Sequence, residues 1–286
     1  MTAKNINEML VVSDIDGTLL QAGYGIPKEN IDAIDRFVER GGLFTVATGR
    51  SVESVRKYVD WINMSVPAIL CNGAVLYDYK TERVLYNRTL EPSARAVVNE
   101  IKKVFPEIGI EIHTVEGITA VAMNECVLNH TAVEHIPFTL SDLDSVADGW
   151  NKVLFTDVEG KIEQVVKFVE RKKDTNSLFN RFNFVMTSKI YYELIPNDIG
   201  KGEGLKRLAE LLNIKMENTV AIGDYYNDVP LFEVAGYTAA VSDAPTDIKR
   251  MTDVTVKPCL QGGVGELLDS LEAYCDGYIQ LKFDMI

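Results

Sequence analysis

The chain has 286 residues, 47% apolar and 25% charged, enough for one large or two modest domains around a well-buried core. Lys and Arg number 29 against 42 Asp and Glu, a net charge of -13 and the wrong sign for tracking a nucleic-acid backbone. Four scattered cysteines (Cys71, Cys126, Cys259, Cys275) argue against structural zinc or a disulfide framework, and the polar MTAKNINEML start and lack of a spanning apolar stretch against a signal peptide or membrane anchor; a cytoplasmic setting is expected.

LVVSDIDGTLL (10–20) is an apolar strand that delivers Asp14 and Asp16 just before Gly17 and Thr18. Side chains two apart on a strand share a face, so both carboxylates are expected to project together from its end. Two such anions repel, and a divalent metal between them is the leading compensation; a buried strand closed by an Asp-Gly turn is the plainer alternative. A helix follows from about Lys28, with Ile31, Ile34, Phe37 and Val38 on one face and Gly41-Gly42 at its end. LFTVAT (43–48) is a short strand, and Gly49 turns into a helix capped by Ser51 with Val52, Val55, Val59 and Ile62 inside. PAILC (67–71) is a third buried strand, ending at Asn72-Gly73. This alternation predicts a parallel sheet covered by helices.

After about Asn87 the texture changes. EIHTV and ITAVAM flank a hairpin turn, KVLFTD (152–157) precedes a helix near 160–172, and FNFVMTS meets KIYYELIP across another tight turn. These strands predict a smaller, mainly antiparallel α+β unit, with linkers at Asn87–Pro92 and Pro196–Gly200. From Lys201 the alternation resumes, with a helix (KGEGLKRLAELLN), strands at 219–224 and 237–242, a helix begun by DVPLFEVAG and a closing helix from Gly263 to Tyr274. The chain thus predicts an α/β core from residues 1–87 and 197–286, with residues 88–196 inserted. The apolar end YIQLKFDMI has no assigned partner.

Four segments carry reactive side chains at the carboxyl ends of core strands, where ligands of open α/β sheets bind: Asp14 with Asp16, Thr48-Gly49-Arg50, Asn72-Gly73, and Gly223-Asp224 with Asn227-Asp228. Each has a plain structural alternative: a helix cap, a turn, a solvated acidic loop. Lys201 opens a helix, where a cation opposes the helix dipole; it is either solvated or a point charge that holds an anion and compensates the aspartates.

These segments resemble the haloacid-dehalogenase-type phosphatase superfamily, specifically its Cof-type branch with a type-2 (C2B) cap. DIDGT (14–18), ATGR (47–50), Lys201-Gly202 and GDYYND (223–228) match the four motifs in order, and CNGA (71–74) is also typical of the branch. The resemblance implies a Rossmann-like core with an inserted α+β cap that closes over a small phosphorylated metabolite. Asp14 would be the nucleophile and Asp16 the general acid and base. Mg2+ would be held by the Asp14 carboxylate, the Asp16 backbone carbonyl and the Asp224 carboxylate, with Asp228 behind them. Ile15, Thr48, Gly49, Lys201 and Asn227 would grip the phosphoryl group, and Thr18, Asn72 and Gly73 would support the site. A phosphomutase or phosphotransferase on the same scaffold, or a non-catalytic ligand-binding module, are the alternatives. Tyr225-Tyr226 and Ser242-Asp243-Ala244 depart from the family's usual residues, and Asp243 is expected to add negative charge near the site. Glu111, His113, His130 and His135 are the polar residues of the inserted segment, read as surface or satisfied core side chains rather than metal ligands.

Overall fold

The computed structural model describes residues 5–134 and 136–281. They form two compact units: one holds the residues up to Gly49, Lys57–Leu85 and those from Gly200 on, the other Arg50–Arg56 and Tyr86–Ile199.

The first unit is built on a five-stranded parallel sheet in the order Val254–Val256, Tyr237–Val241, Thr219–Gly223, Leu10–Ser13, Leu43–Val46. The middle three strands are buried along their whole length, which is why they read as unbroken apolar runs rather than alternating ones. Leu10–Ser13 pairs on one side with Leu43–Val46 and on the other with Thr219–Gly223, Ser13 lying level with both Val46 and Ile222. The chain therefore leaves the first strand in one direction and returns much later on its other side. That makes the gap between Leu10–Ser13 and Thr219–Gly223 the topological switch point. Helices Lys28–Glu39 and Gly263–Cys275 pack together around Asn30, whose side chain donates to the Leu19 carbonyl (3.1 Å) and accepts from the Gly265 amide (2.8 Å).

The α/β class is as the sequence indicates, but several local expectations fail. Strand Ala68–Leu70 does not extend the parallel sheet beyond one isolated bridge, Ala47 to Ile69. It belongs instead to a three-stranded sheet with Val75–Asp78 and Arg83–Asn87. The cause is the Cys71-Asn72-Gly73 turn, which folds the chain straight back and offers the next residues as antiparallel partner. The helix after Gly49 stops at Arg56, although Ser51 Oγ does accept the Ser54 amide at 3.3 Å. The short helix Thr246–Lys249 and the edge strand Val254–Val256 are too brief to leave a periodic signature. The last five residues of the apolar tail, and His135, lie outside the described residues.

The second unit carries a six-stranded sheet in the order Phe182–Ser188, Tyr191–Pro196, Lys152–Thr156, Gly109–Thr114, Gly117–Ala122, Phe138–Leu140. All pairs are antiparallel except the last. On one face Ile110, Ile112, Val153, Phe155, Tyr192 and Leu194 join helices Ala94–Val104 and Glu159–Thr175 in an apolar core. The alternate residues give the opposite face a different character. Cross-strand register sets His113 opposite Lys152, and Glu111 and Glu193 both opposite Leu154. Lys152 Nζ lies 2.6 Å from Glu193 Oε1, and Glu111 takes His113 Nε2 (3.1 Å) and His130 Nδ1 (2.9 Å). Glu111, His113 and the partly buried His130, read singly from the sequence, are therefore one network.

This network fixes a pH dependence. Burial alone would raise the Glu111 pKa, but the two histidines outweigh it and hold the carboxyl down at about 2. Burial, then Lys152, lowers His113 to about 4 against the pull of Glu111. Both folded values lie below the unfolded ones, 4.5 and 6.5, so the unfolded chain takes up protons first as pH falls. The stabilisation is whole above about pH 6.5, weakens toward 4 as His113 resists protonation, and weakens further toward 2 as Glu111 does. Trp150 is buried in this unit and Trp61 is half exposed in the other. In a Trp61→Phe variant, the denaturant midpoint followed by Trp150 fluorescence is expected to fall steadily from pH 7 to 3; a flat profile would contradict the network's role.

Candidate active site

Asp14 follows the central strand and Asp224 the neighbouring one, so the switch point brings them together although they are far apart in sequence. The Asp14 amide bonds to the Ile222 carbonyl at 2.9 Å, which extends the ladder by one residue and fixes the direction of the first carboxylate. The strand itself ends at Ser13. Asp16 consequently stands in a turn and is exposed, and the two-residue alternation of a strand does not govern it. Strand alternation is thus not what brings the pair together, but Asp16 lies near enough to raise the pKa of both Asp14 and Asp224. The turn is held by the Ile15 carbonyl, which accepts the Leu19 and Leu20 amides at 3.0 and 2.9 Å. Gly17 sits at φ +83°, and a Cβ there would overlap the Asp224 carboxylate. Only glycine allows this approach.

Three carboxylates converge: Asp14, Asp224 and Asp228 offer oxygens that all lie within 4.8 Å of one another. Lys201 is wholly buried at the start of helix Lys201–Leu211, and its Nζ bridges Asp14 Oδ1 and Asp228 Oδ1, at 2.6 Å each. Thr18 donates to Asp224 Oδ1 at 2.9 Å. The second oxygen of Asp228 accepts the Asp224 and Tyr225 amides at 3.0 and 3.1 Å. The GDYYND segment is thus wound round its own last carboxylate, and Pro230 stands in the first turn of the following helix, where no amide is missed.

One ammonium serves two of the three carboxylates, and the titration behaviour follows. Burial would lower the Lys201 pKa, but Asp14 and Asp228 outweigh it and keep the ammonium charged above its usual range. Burial pushes Asp14 well up; Lys201 opposes this, but Asp228, Asp224 and Asp16 add to it. Burial and then Asp228 raise Asp224 to about 7, against Thr18 and Lys201. The cluster has more negative charge than its lysine can balance. Hard carboxylate oxygens with uncompensated charge in a buried site are the donor set a divalent cation such as Mg2+ requires.

Thr48 and Gly49 follow strand Leu43–Val46. The Thr48 amide donates to the Ile69 carbonyl and its carbonyl accepts the Asn72 amide, both at 2.9 Å. Asn72 and Cys71 have φ of 54° and 49°, left-handed values that cost non-glycine residues about 1–2 kcal/mol each. Asn227 is half-buried within the turn Tyr226–Asp228. Tyr226 is half exposed, and its hydroxyl bonds to Asp247 at 3.0 Å. Asp243 accepts the Cys259 amide at 3.1 Å. Cys259 itself, which no sequence motif marks, stands near the cluster: burial, then Asp224 and Asp243, pushes its thiol up to about 12, so it stays neutral.

The model for the family described as haloacid dehalogenase-like hydrolase matches residues 11–268. A 5-amino-6-(5-phospho-D-ribitylamino)uracil phosphatase of Bacillus subtilis, YwtE, is 26% identical, covering 91% of this chain and 97% of its own. A phosphoglycolate phosphatase of Metallosphaera sedula is 28% identical, covering 92% and 98%. A haloacid dehalogenase-like hydrolase structure from Bacteroides thetaiotaomicron superposes with a TM-score of 0.81 at 22% identity, over 92% of this chain and 99% of that one. With a switch-point carboxylate cluster at its centre and a family match over most of its length, the chain belongs to the haloacid dehalogenase-like hydrolases and is a phosphatase of that family.

Proposed function

We propose that the protein is a Mg2+-dependent phosphatase that cleaves small phosphate monoesters through an aspartyl-phosphate formed on Asp14. The observation that carries this reading is the buried Lys201 bridging two of three convergent carboxylates at the switch point. An oxygen of Asp14 forms a bond to phosphorus as the bond from phosphorus to the ester oxygen breaks. Asp16, the exposed carboxyl of the pair, gives its proton to the departing alkoxide and then takes one from the water that cleaves the acyl phosphate. Lys201, the Thr48 hydroxyl, the Ile15 and Gly49 amides and Asn227 hold the phosphoryl oxygens. Donors fixed before reaction dominate the stabilisation of such transition states.

The Asp14 and Asp224 carboxylates and the Asp16 main-chain carbonyl would hold Mg2+. Asp228, whose oxygens already serve Lys201 and two amides, supports them from behind. The ion, when bound, neutralises the repulsion between an anionic nucleophile and an anionic substrate. The relatives' named substrates, a ribitylaminouracil phosphate and phosphoglycolate, share little beyond a phosphate on a small alcohol. That supports a small phosphorylated metabolite as the substrate class.

The test is phosphate release from p-nitrophenyl phosphate. Turnover is expected with Mg2+, to vanish with chelator and to return on adding back Mg2+, with inorganic phosphate rather than a transferred phosphoryl group as product when sugars are added. Turnover indifferent to chelator would overturn the metal assignment, and transfer to the added sugar would favour a mutase.

A further inference from the structure

The Cys71-Asn72-Gly73 turn touches two parts of the site at once. On one side the Ile69–Asn72 segment holds Thr48 through both of its main-chain groups, the amide on Ile69 and the carbonyl on Asn72. The buried Asn72 side chain lies directly over Gly49, so that even a methyl group on Gly49 would come within 3.2–3.3 Å of the Asn72 amide atoms. On the other side Gly73, at φ +94°, presses its α-carbon against the Gly200 carbonyl, where a side chain would overlap that oxygen. The Gly200 carbonyl accepts the Gly204 amide at 3.0 Å in the first turn of the helix, and the residue after Gly200 is Lys201. Gly204 in turn lies against the Gly73 α-carbon. Three consecutive residues in the left-handed region persist only where their surroundings over-determine them.

We propose that Asn72 and Gly73 are positioning residues that set the separation between the Thr48-Gly49 turn and Lys201, the two sides of the phosphoryl-binding site. This rests on the phosphatase reading above. Neither residue takes part in the bond changes. Asn72 seats the Thr48-Gly49 main chain, and Gly73 seats the first turn that carries Lys201. Displacing one side relative to the other misaims the donors without removing any of them, which lowers the rate of the bound complex more than its formation.

Asn72→Gly tests this with little risk to folding, because glycine favours the left-handed turn and only the amide is deleted. With p-nitrophenyl phosphate and Mg2+, kcat is expected to fall ~10- to 100-fold with KM changed less than about threefold, at an unfolding midpoint equal to or above that of the wild type. Gly73→Ala is expected to lower kcat in the same way, through the helix rather than the Thr48 turn. If Asn72→Gly misfolds, Asn72→Ser decides, since it removes the side-chain amide packed over Gly49 while leaving a small polar residue in the turn; full kcat in Asn72→Ser would overturn the proposal. Wild-type kcat in Asn72→Gly at an unchanged midpoint would overturn it too and leave the phosphatase reading intact. An inactive wild-type enzyme would take down both.

Discussion

An Asp14→Asn variant is expected to lose at least about 1000-fold in turnover while unfolding at a higher temperature than the wild type in the presence of chelator. The two effects have one cause. Burial, with Asp228, Asp224 and Asp16, raises the Asp14 pKa well above that of a free carboxyl, so at neutral pH the charged form is disfavoured in the folded state. An amide removes that charge, still accepts the Lys201 hydrogen bond, and cannot form an acyl phosphate. Rate and stability therefore move in opposite directions, as they do where an active site is kept under electrostatic strain. Phosphate release and a thermal melt on the same preparation check both; retained turnover would remove Asp14 as nucleophile, and a lowered midpoint would contradict the charge imbalance.

Lys201→Met is expected to show the largest loss of stability. It removes the one ammonium that Asp14 and Asp228 share and leaves both carboxylates buried. Breaking a buried pair in this way costs about 3–5 kcal/mol, and losing a phosphoryl-binding donor costs a further ~100- to 1000-fold in rate. The destabilisation carries a pH signature. Asp224, already at about 7 in the wild type, and Asp14 both bind protons more tightly folded than unfolded. Their contribution is full at low pH and is lost as pH rises through the folded values. Without Lys201 the effect grows, so the variant is expected to gain stability from pH 8 down to 5 in chemical denaturation. A loss over that range would show that the lysine's role is packing alone.

Much of this molecule was legible in its amino-acid order, for identifiable reasons. Leu10–Ser13, Thr219–Gly223 and Tyr237–Val241 are buried on both faces, and runs such as LVVS and YTAAV announce that directly. Asp14, Asp224 and Thr18 stand out because polar groups just past the ends of apolar strands need a reason to be there, and Lys201 because a cation at a helix start opposes the dipole. Other features depend on partners that no local pattern names. Asp16 looks like a second strand carboxylate until the strand is seen to stop at Ser13. Ala68–Leu70 looks like another parallel strand until Cys71 and Asn72 adopt left-handed angles and send it into a hairpin. Glu111 and His113 share one strand while Lys152 and Glu193 stand on two others, and only cross-strand register brings all four together. Cys259 reaches the carboxylate cluster with no sequence cue at all.

The central strand sits between Leu43–Val46 and Thr219–Gly223, and Leu10 lies level with Thr219, 209 positions later (219 − 10). On the ribosome, at about 5–20 residues per second, that neighbour arrives roughly 10–40 s after the first strand has emerged. Meanwhile one edge of a strand that ends up fully buried has no backbone partner, while every strand of the six-stranded sheet, within 109–196, has already been made. Asp14 and Asp224 cannot meet until then, so the carboxylate cluster does not exist until the last third of the chain is synthesised. The same interval is when that open edge is most exposed to mispairing.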